Sequence, residues 1–454
     1  MLLYNRKIQT RKETRKVKRY LAIDIGASSG RHIVGYMDGG ELVTDEVYRF
    51  PNGMDTVDGH LVWDTDRLFE EVKRGIRAAI EKHGKIESLS IDTWGVDYVL
   101  MRGDKEVKPT FAYRDSRTEE PIKLVHSIIP EDELFSITGT QFQTFNTVYQ
   151  LYSDKLMGRL TGVTDFLMIP EYLMYKLTGV KKKEFTEAST ASLVNVETKQ
   201  LDREIFRRLG LPEALIAPLY APGETVGMLL PEVREEVGGD VKVVLCGTHD
   251  TASAVEAIDM HTDAPYISSG TWSLLGVKLD KALTDEKSRL SGYSNEGGVG
   301  YFRYLKNITG MWIIQCLRSE LCPDMPYSEI ADMARESGYS EVFDVNDPSF
   351  MAPDSMKAAI DAYLSGAGKT MPKCDADYFS SAYHSLGYCY DLAIRDLEAN
   401  TGKSYTEIYI VGGGAKNTYL NELTEKYTGK RVVALPIEAT AIGNLKVQMK
   451  ADKI

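Results

Sequence analysis

A strand–turn–strand pattern occurs twice in this chain, once near the start and once in the second half. In each copy an apolar strand leads into a Ser-Ser-Gly triplet, at residues 28–30 and 268–270, and another strand follows. Small residues between two strands let backbone N–H groups approach an anion closely. The pattern therefore predicts two related halves whose turns would clamp a polyphosphate from both sides. Because the repeat is short, a chance match remains the alternative.

Length and composition limit the classes of protein to consider. With 454 residues the chain is too long for one core, so we expect two or three domains. The net charge of −12 argues against a general nucleic-acid binder, and no apolar run approaches the roughly 20 residues of a membrane span. The 5 cysteines lack C-x-x-C spacing, which argues against a disulfide framework or a zinc site. We therefore expect a cytoplasmic protein with no nucleic-acid or membrane partner, and its oligomeric state stays open.

The first 19 residues differ in composition from the rest. Residues 6–19 contain eight Lys or Arg against one Glu, and no apolar segment completes a secretory signal. Such a segment is either a basic arm for an acidic surface or a disordered extension. We expect the extension.

Polar and small residues follow two apolar strands in the first half. The predicted strand 20–25 carries Asp24, which could hold a divalent cation directly or through water. A predicted helix (69–82) and strand (86–91) come next, and the strand runs into the polar segment 92–97. Strand, helix and strand indicate an α/β layer, and such sheets bind ligands at their strand ends. Gly95 would let a ligand approach the backbone, whereas Trp94 fits the core equally well.

The segment Gly247–Ser253 combines small, polar and titratable residues after an apolar strand. An acid at a strand end, flanked by His249 and Thr251, suits a general base that faces a cleft. The alternative is structural, because Asp250 or Thr248 could cap the helix that begins near Ala252. The segment alone does not decide between the two.

Several further segments carry functional and structural interpretations side by side. The arginines of loop 113–117 and the polar, aromatic run 142–149 suit a polar substrate or a plain loop. Residues 165–177 are predicted as one helix with a break at Pro170. Gln315 falls on a predicted helix, 311–321, which Asn307 or Thr309 could cap.

Two glycine-rich segments lead to opposite conclusions. The triplet 412–414 lies between a strand and a helix, where it would admit a flat ligand such as an adenine ring. Residues 366–370 end like a phosphate-binding P-loop. However, Tyr363 stands where the first glycine should fall, and the preceding segment has a helical pattern rather than that of a strand. We therefore reject a P-loop there.

Eight short motifs follow one another between residues 24 and 444. They are D-I-G-A-S-S-G-R (24–31), D-T-W-G-V-D (92–97), Y-R-D-S-R-T (113–118), G-T-H-D-T-A-S-A-V (247–255), S-S-G-T-W-S-L-L-G (268–276), L-K-N-I-T-G-M-W-I-I-Q (305–315), V-G-G-G-A-K-N (411–417) and E-A-T-A-I-G-N (438–444). In this order they resemble the FGGY family of carbohydrate kinases, over residues 20–447. Within it they are most similar to the members that phosphorylate L-rhamnulose at its 1-hydroxyl with ATP and magnesium.

The resemblance implies an α/β fold of two actin-like, ribonuclease H-like domains with a deep cleft between them. The expected domains are 20–258, with the sugar pocket and first phosphate turn, and 259–454, which binds the nucleotide. Matched residue by residue, Asp250 is the expected catalytic base and Asp24 the acid near Mg²⁺. The other expected contacts are, for the sugar, Gly95, His249, Asp250, Thr251 and Asn307, and, for ATP, Ala27, Ser28, Ser29, Gly30, Arg31, Thr271, Gln315 and Gly413.

The resemblance also shows departures and leaves alternatives open. After Asn444 the family continues through several tens of residues, whereas here the chain runs into a polar end, so we expect a second domain with reduced packing. A kinase for another ketose, of the L-fuculose or xylulose type, differs by only a few pocket residues. A truncated, non-catalytic protein that binds sugar or nucleotide is a further alternative, as is an actin-like or chaperone-type ATPase.

Overall fold

The computed structural model describes residues 17–260, 263–435 and 438–453. Most of the predicted N-terminal extension lies outside these residues, as does Pro436, the predicted end of the last strand. Within them groups of strands are interspersed with helices along the chain, which confirms the predicted α/β class.

The strands of the described residues are short to medium in length. In chain order they are β1 (Tyr20–Ile25), β2 (Ser29–Asp38), β3 (Glu41–Pro51), β4 (Asp55–Val57), β5 (His60–Trp63), β6 (Ser88–Thr93), β7 (Tyr98–Arg102), β8 (Lys105–Glu106), β9 (Thr110–Phe111), β10 (Asp165–Met168), β11 (Lys183–Glu184), β12 (Val194–Asn195), β13 (Gln200–Leu201), β14 (Leu219–Tyr220), β15 (Thr225–Met228), β16 (Lys242–Val244), β17 (Tyr266–Ser269), β18 (Trp272–Leu279), β19 (Ser294–Gly297), β20 (Phe302–Thr309), β21 (Glu407–Val411) and β22 (Arg431–Leu435).

The α-helices cover the faces of the sheets. In chain order they are α1 (Thr65–His83), α2 (Glu119–Ile128), α3 (Glu131–Thr138), α4 (Thr147–Leu156), α5 (Ile169–Thr178), α6 (Phe185–Ala188), α7 (Arg203–Leu209), α8 (Pro231–Val237), α9 (Asp250–Glu256), α10 (Glu286–Leu290), α11 (Trp312–Leu321), α12 (Tyr327–Ser337), α13 (Met356–Gly366), α14 (Asp375–Thr401), α15 (Thr418–Thr428) and α16 (Ala439–Ala451). None of them is long and apolar enough to cross a membrane.

Two main sheets share a pattern of five strands. In the first the order is β15-β16-β6-β1-β2-β3, and in the second it is β19-β20-β18-β17-β21-β22. Each contains an antiparallel meander, β1-β2-β3 or β17-β18-β20, whose first strand pairs in parallel with a later one, β6 or β21. The two Ser-Ser-Gly triplets lie at equivalent hairpins, β1–β2 and β17–β18. The predicted repeat is therefore a repeat of structure as well as of sequence.

The helix α16 joins the two sheets. It follows β22 of the second sheet but packs on β1, β2 and β6 of the first. Its buried residues Ala441, Leu445 and Met449 form one apolar cluster with Tyr20, Ala22 and Ile33. Gln448 donates to the carbonyl of Leu21 at 3.0 Å, and the hydroxyl of Ser88 donates to Gln448 at 2.7 Å. The residues directly after Asn444, where we expected reduced packing, thus lie in a well-packed helix, whereas the polar residues 450–453 lie at its mostly exposed end.

A close helix crossing places the start of α9 against α16. A Cβ built on Gly443 would lie 1.7 Å from the carbonyl oxygen of Ser253, so only glycine allows this approach. The crossing connects the residues after Asp250 to both halves of the molecule.

Three local predictions were wrong. Residues 165–177 form β10 followed by α5, because the apolar run before Pro170 fits either a strand or a helix. Pro170 lies in the first turn of α5, where its missing N–H breaks no hydrogen bond. Asn307 and Thr309 end β20 and do not cap α11.

The cap predicted for α9 is also wrong. This helix begins at Asp250, with His249 as its N-cap residue, and no side chain caps it. The hydroxyl of Thr248 instead donates to Glu184 at 2.6 Å. By contrast, residues 366–370 begin at the last residue of the helix α13 and do not follow a strand, in agreement with the rejection of a P-loop.

Candidate active site

Two of the predicted site segments run side by side at the end of the first sheet. The N–H of Thr93 donates to the carbonyl of Thr248 at 2.9 Å, and Thr93 forms a parallel bridge with His249. This pairing continues the parallel β6–β16 ladder into the polar segments. It brings Gly95 next to His249, as the resemblance implies.

Gly95 has no room for a larger side chain on this side of the segment. A Cβ there would meet the methyl and hydroxyl groups of Thr190 at 3.1 and 3.2 Å and His249 Nε2 at 3.3 Å. The next residue, Val96, has a φ of 71°, which is strained for a β-branched side chain. Its N–H donates to the hydroxyl of Thr190 at 3.2 Å. The backbone at this position is therefore held in a conformation that it would not adopt freely.

Asp250 is the first residue of α9, and its side chain is 29 % exposed. Its Oδ1 lies 3.6 Å from His249 Nε2. Burial raises the pKa of Asp250 above its ordinary value, although the neighbouring His249, the N–H of Thr251 and the charge of Arg303 act in the opposite direction. A partly accessible carboxylate with a raised pKa can accept a proton from a substrate.

Glu184 holds the segment before Asp250 in place. This buried carboxylate accepts hydrogen bonds from the hydroxyl and the N–H of Thr248, at 2.6 and 3.2 Å. It also accepts from the N–H groups of Thr186 and Glu187, and so caps α6. The sequence alone did not identify Glu184 as a residue of the site. A glutamate before Thr186 is a weak capping signal, and its partner Thr248 lies 64 positions away.

Arg303 and Glu296 complete the surroundings of His249, and the sequence did not reveal them either. Arg303, on β20, is fully buried and contacts both His249 and Thr251. Its ion-pair partner is Glu296 on β19, at 2.9 Å. The sequence shows only that a charged residue, Arg303, occurs within a partly apolar strand, and this does not reveal which residues it contacts.

Asp97 ties the segment 92–97 to its neighbours. Its Oδ2 accepts hydrogen bonds from the indoles of Trp63 and Trp94 and from the N–H of Tyr113, at 2.7, 3.0 and 3.0 Å. Gln150 donates to Oδ1 at 3.1 Å. Burial raises the pKa of Asp97 to about 6 in spite of these four donors. Trp94 is 7 % exposed and belongs to the core, as one of its two interpretations predicted.

Asp24 pairs with the guanidinium of Arg31. It accepts from Arg31 Nε at 2.9 Å, and Arg31 in turn pairs with Glu438 just before α16. The guanidinium of Arg31, which we expected to contact ATP, therefore bridges two carboxylates from opposite halves of the chain. Burial raises the pKa of Asp24, and the nearby charge of Asp250 raises it further, although Arg31 opposes both.

The carboxylates near Asp24 are suited to bind a magnesium ion whose other ligands are mainly phosphate oxygens and waters. Asp24 and Asp92 are register partners on β1 and β6, and Asp92 Oδ1 is buried with no hydrogen-bond partner among the described residues. The described residues contain no group of three or more His, Cys, Asp and Glu side chains that could hold a metal. Such a cage is not required, because Mg²⁺ usually keeps several waters and takes one or two carboxylates plus phosphates.

The first small-residue turn is open at its tip. The N–H of Gly26 donates to the carbonyl of Ser29 at 2.9 Å, and the side chain of Asn52 donates to the carbonyl of Gly26 at 2.9 Å. Ser28 is exposed, and Ala27 and Ser29 are half-buried. Gly30 is buried in β2, where a Cβ would overlap the ring of Phe50.

Three predicted ATP contacts lie around the second turn. The hydroxyl of Thr271 donates to Gln315 at 3.5 Å, so these two residues are neighbours. Parallel pairing of β17 with β21 brings the glycine triplet to the same place: a Cβ on Gly414 would lie 2.0 Å from Ser269 Oγ. Gly413 is exposed, with open space above it.

The remaining candidates are Asn307, Arg117 and the run 142–149, and they differ in whether they can contact a substrate. Asn307 is exposed on β20, on the same face as Arg303 by strand alternation, and its side chain forms no hydrogen bond with another described residue. Arg117 is buried against Gln150 and Asp154, so it supports the protein interior rather than a substrate. The run 142–149 contacts the back of the site, because the hydroxyl of Thr147 donates to the carbonyl of Val96 at 2.7 Å.

Comparison with protein-family models and with known proteins gives consistent matches. The model of the FGGY family of carbohydrate kinases, N-terminal domain, matches residues 19–256, and that of the C-terminal domain matches residues 265–451. A rhamnulokinase of Oceanobacillus iheyensis is 40% identical over 435 residues, which are 95% of this chain and 93% of the relative. A rhamnulokinase of Bacillus subtilis is 39% identical over 441 residues, 96% of this chain and 90% of the relative.

Solved structures show the same fold at lower sequence identity. Xylulose kinase from Lactobacillus acidophilus has a TM-score of 0.78 at 15% identity, covering 96% of this chain and 90% of its own. Glycerol kinase from Plasmodium falciparum, solved with ADP, has a TM-score of 0.77 at 14% identity, with coverages of 96% and 90%.

Proposed function

This chain belongs to the FGGY family of carbohydrate kinases, and we propose that it transfers the γ-phosphoryl group of ATP to the 1-hydroxyl of L-rhamnulose. The two rhamnulokinases, at about 40% identity over nearly the whole chain, support this substrate. The observation that carries the chemistry is the position of Asp250, a partly exposed carboxylate with a raised pKa beside Gly95 and His249. We assign it as the general base.

The proposed reaction is one in-line displacement. Asp250 takes the proton of the sugar's 1-hydroxyl while its oxygen attacks the γ-phosphorus, the bond to the β-phosphate oxygen breaks, and ADP leaves. The raised pKa of Asp250 improves its ability to accept that proton. Gly95, His249, Thr251 and Asn307 would hold the sugar, and the small space beside Gly95 would set its orientation.

The two small-residue turns would hold ATP. Backbone N–H groups of residues 27–31 would face the phosphates from one half, and Thr271, Gln315 and Gly413 would contact the nucleotide from the other. This assignment agrees with the proposed division into a sugar-binding part, 20–258, and a nucleotide-binding part, 259–454. Asp24 would hold the Mg²⁺ that accompanies ATP, directly or through water. A bound Mg²⁺ would neutralise charge on the phosphate oxygens.

A coupled assay of ADP release on a panel of ketoses tests the proposal. We expect magnesium-dependent turnover that is highest with L-rhamnulose and lower with L-fuculose and xylulose. In Asp250→Asn we expect kcat to fall by about 10²–10⁴-fold, the usual contribution of a general base. Asp259→Asn is the matched control, because Asp259 is exposed and its one ion-pair partner among the described residues is Lys446, at 2.8 Å; its activity should stay near that of the wild type.

Three outcomes would contradict the proposal in different ways. Equal turnover in Asp250→Asn would exclude Asp250 as the base. A higher rate with another ketose would move the specificity within the family. No turnover with any sugar, in a protein that unfolds cooperatively, would favour a binding protein.

A further inference from the structure

Arg303 reaches the sugar-pocket residues from the opposite half of the chain. Its Nη1 donates to Thr251 Oγ1 at 2.6 Å, and its Nη2 lies 3.1 Å from His249 Nδ1 in hydrogen-bond geometry. Its Nε donates to the carbonyl of Gly297 at 2.8 Å, and Nη2 also donates to Glu296 Oε2 at 2.9 Å. With 0 % of its side chain exposed, Arg303 has a fixed position.

These contacts decide which ring nitrogen of His249 carries the proton. A guanidinium has N–H donors and no acceptor, so the nitrogen it faces must be the acceptor. Nδ1 of His249 is therefore unprotonated, and a neutral ring carries its hydrogen on Nε2. A hydrogen on Nδ1 would point at an N–H of Arg303, in an interior where an unmade hydrogen bond is costly.

Glu296 offers a competing acceptor that Arg303 already occupies. Its Oε2 is 3.4 Å from His249 Nδ1 but only 2.9 Å from Arg303 Nη2. Burial raises the pKa of Glu296, but Arg303 and His249 together outweigh burial, and the pKa lies below its ordinary value. The buried charge of Arg303 is thus paired, as a charge in the interior requires.

The hydrogen on Nε2 points to the reacting region. Thr251 Oγ1, which already accepts from Arg303, lies 3.1 Å from Nδ1 and 3.3 Å from Nε2. Nε2 also lies 3.3 Å from the Cβ position of Gly95 and 3.6 Å from Asp250 Oδ1, the latter too long for a hydrogen bond. The space between these groups is where the proposed function places the sugar. An N–H there can donate to a sugar oxygen next to the hydroxyl that Asp250 deprotonates.

We infer that Arg303, paired with Glu296, is a positioning residue that fixes His249 as the neutral Nε2–H tautomer, so that His249 donates a hydrogen bond to the ketose. This role rests on the proposed function only for the identity of the acceptor, because the tautomer itself is a property of the free enzyme. None of the eight sequence motifs contains Arg303 or Glu296.

NMR of ¹⁵N-histidine-labelled protein tests the tautomer directly. The chain has 7 histidines, and His249→Asn identifies the signal of His249. In the wild type we expect Nδ1 of His249 to show the chemical shift of an unprotonated nitrogen and Nε2 that of a protonated one. In Arg303→Met we expect loss of that pattern, because Glu296 becomes free to accept from Nδ1–H.

Kinetics test the consequence for the sugar. In Arg303→Met we expect KM for the sugar to rise about tenfold, the cost of one neutral hydrogen bond, and KM for ATP to change little. Arg303→Lys keeps one donor and should restore part of the loss, which general damage to the fold would not allow. Arg395→Met is the control, because Arg395 is exposed and pairs within α14.

The outcomes separate this inference from the proposed function. A protonated Nδ1 in wild-type His249 would overturn the inference even if no Arg303 variant folds. An unchanged tautomer and sugar KM in Arg303→Met would overturn it as well. Absence of sugar turnover together with the expected tautomer would instead contradict the proposed function and leave the tautomer assignment supported.

Discussion

At the scale of single residues, the role of a carboxyl group depends on its exposure and on the hydrogen-bond donors around it. Glu184 accepts hydrogen bonds from Thr186, Glu187 and Thr248 and fixes the backbone before the site. Asp250 has a partly exposed carboxylate beside His249. The first arrangement supports structure, whereas the second leaves a base available to a substrate.

Gly95→Ala should reduce sugar binding while leaving the fold nearly unchanged. The added methyl would lie 3.1–3.3 Å from Thr190 and His249, so these side chains must shift by a few tenths of an ångström. Because His249 borders the proposed sugar site, we expect KM for the sugar to rise about tenfold with a much smaller change in KM for ATP, measured by steady-state kinetics.

Gly53→Ala is the matched control for this substitution. A Cβ at Gly53 meets no atom within 4 Å, so both kinetic constants should stay at their wild-type values. If Gly95→Ala also binds the sugar normally, Gly95 does not border the sugar.

The sequence predicted the residues that lie close together along the chain or match a family motif. Gly95, His249, Asp250 and Thr251 are neighbours in the structure, as expected. The sequence did not predict Arg303 or Glu296, because their contacts with His249 and Thr251 join positions more than 40 residues apart and depend on how two strands are placed. The pairing of Arg31 with Asp24 and Glu438 was also missed, since the motif gave Arg31 only a role in phosphate binding.

At the scale of elements, the crossing of α9 and α16 connects the base to the rest of the molecule. Gly443 allows the carbonyl of Ser253, one turn after Asp250, to approach the backbone of α16. The hydroxyl of Ser253 donates to the carbonyl of Gly247 at 2.7 Å, which ties the same turn to the end of β16. A change in this crossing therefore moves the start of α9.

Gly443→Ala should destabilise the protein strongly. The new Cβ would lie 1.7 Å from a backbone oxygen, which no side-chain rotation can relieve, so the helices must separate. We expect the free energy of unfolding to fall by about 3 kcal/mol or more, measured by urea denaturation. Sugar kinase activity should fall with it, because Asp250 begins α9.

A second helical glycine provides the comparison. Gly366 ends α13 with no atom within 4 Å of its Cβ position, so Gly366→Ala should be neutral or stabilise by up to about 1 kcal/mol. Equal stability of the two variants would mean that the helices do not approach as closely as described.

Most elements were predictable from periodicity, and the exceptions have a common cause. Helices such as α1 and strands such as β1 carry clear patterns. The run 165–168 does not, because a short apolar segment fits either structure and only its pairing with β7 makes it a strand. The prediction that Thr248 caps α9 was wrong for a related reason: its hydroxyl donates instead to Glu184, in a distant segment of the chain.

At the scale of the whole molecule, contacts between the two halves are buried and specific. Asn444 donates to Asp92 at 2.5 Å, and Arg303 contacts Thr251 at 2.6 Å. The apolar cluster of α16 with β1 and β2 adds to them. We expect the halves to unfold together, in a single calorimetric transition.

Leu445→Ala should separate that transition into two. Leu445 is fully buried on β1 and β2, and its Cδ1 occupies the space that glycine leaves at Gly35. Truncation should cost about 3 kcal/mol, mainly at the junction of the halves, so one half should unfold at a lower temperature than the other. Leu290→Ala, at a residue that is 70 % exposed, should leave the calorimetric trace unchanged. A single transition merely shifted to lower temperature in Leu445→Ala would argue that other contacts couple the halves.

The position of α16 also has a consequence for biosynthesis. Gln448 binds the carbonyl of Leu21, 427 residues earlier in the chain. A ribosome adding about 5–20 residues per second needs roughly 20–85 s to cover that distance. During this interval the apolar strip around Tyr20, Ala22 and Ile33 has been made while the helix that covers it has not. The nascent chain therefore leaves this apolar strip uncovered for most of its translation, and its first sheet becomes fully packed only after α16 has left the exit tunnel.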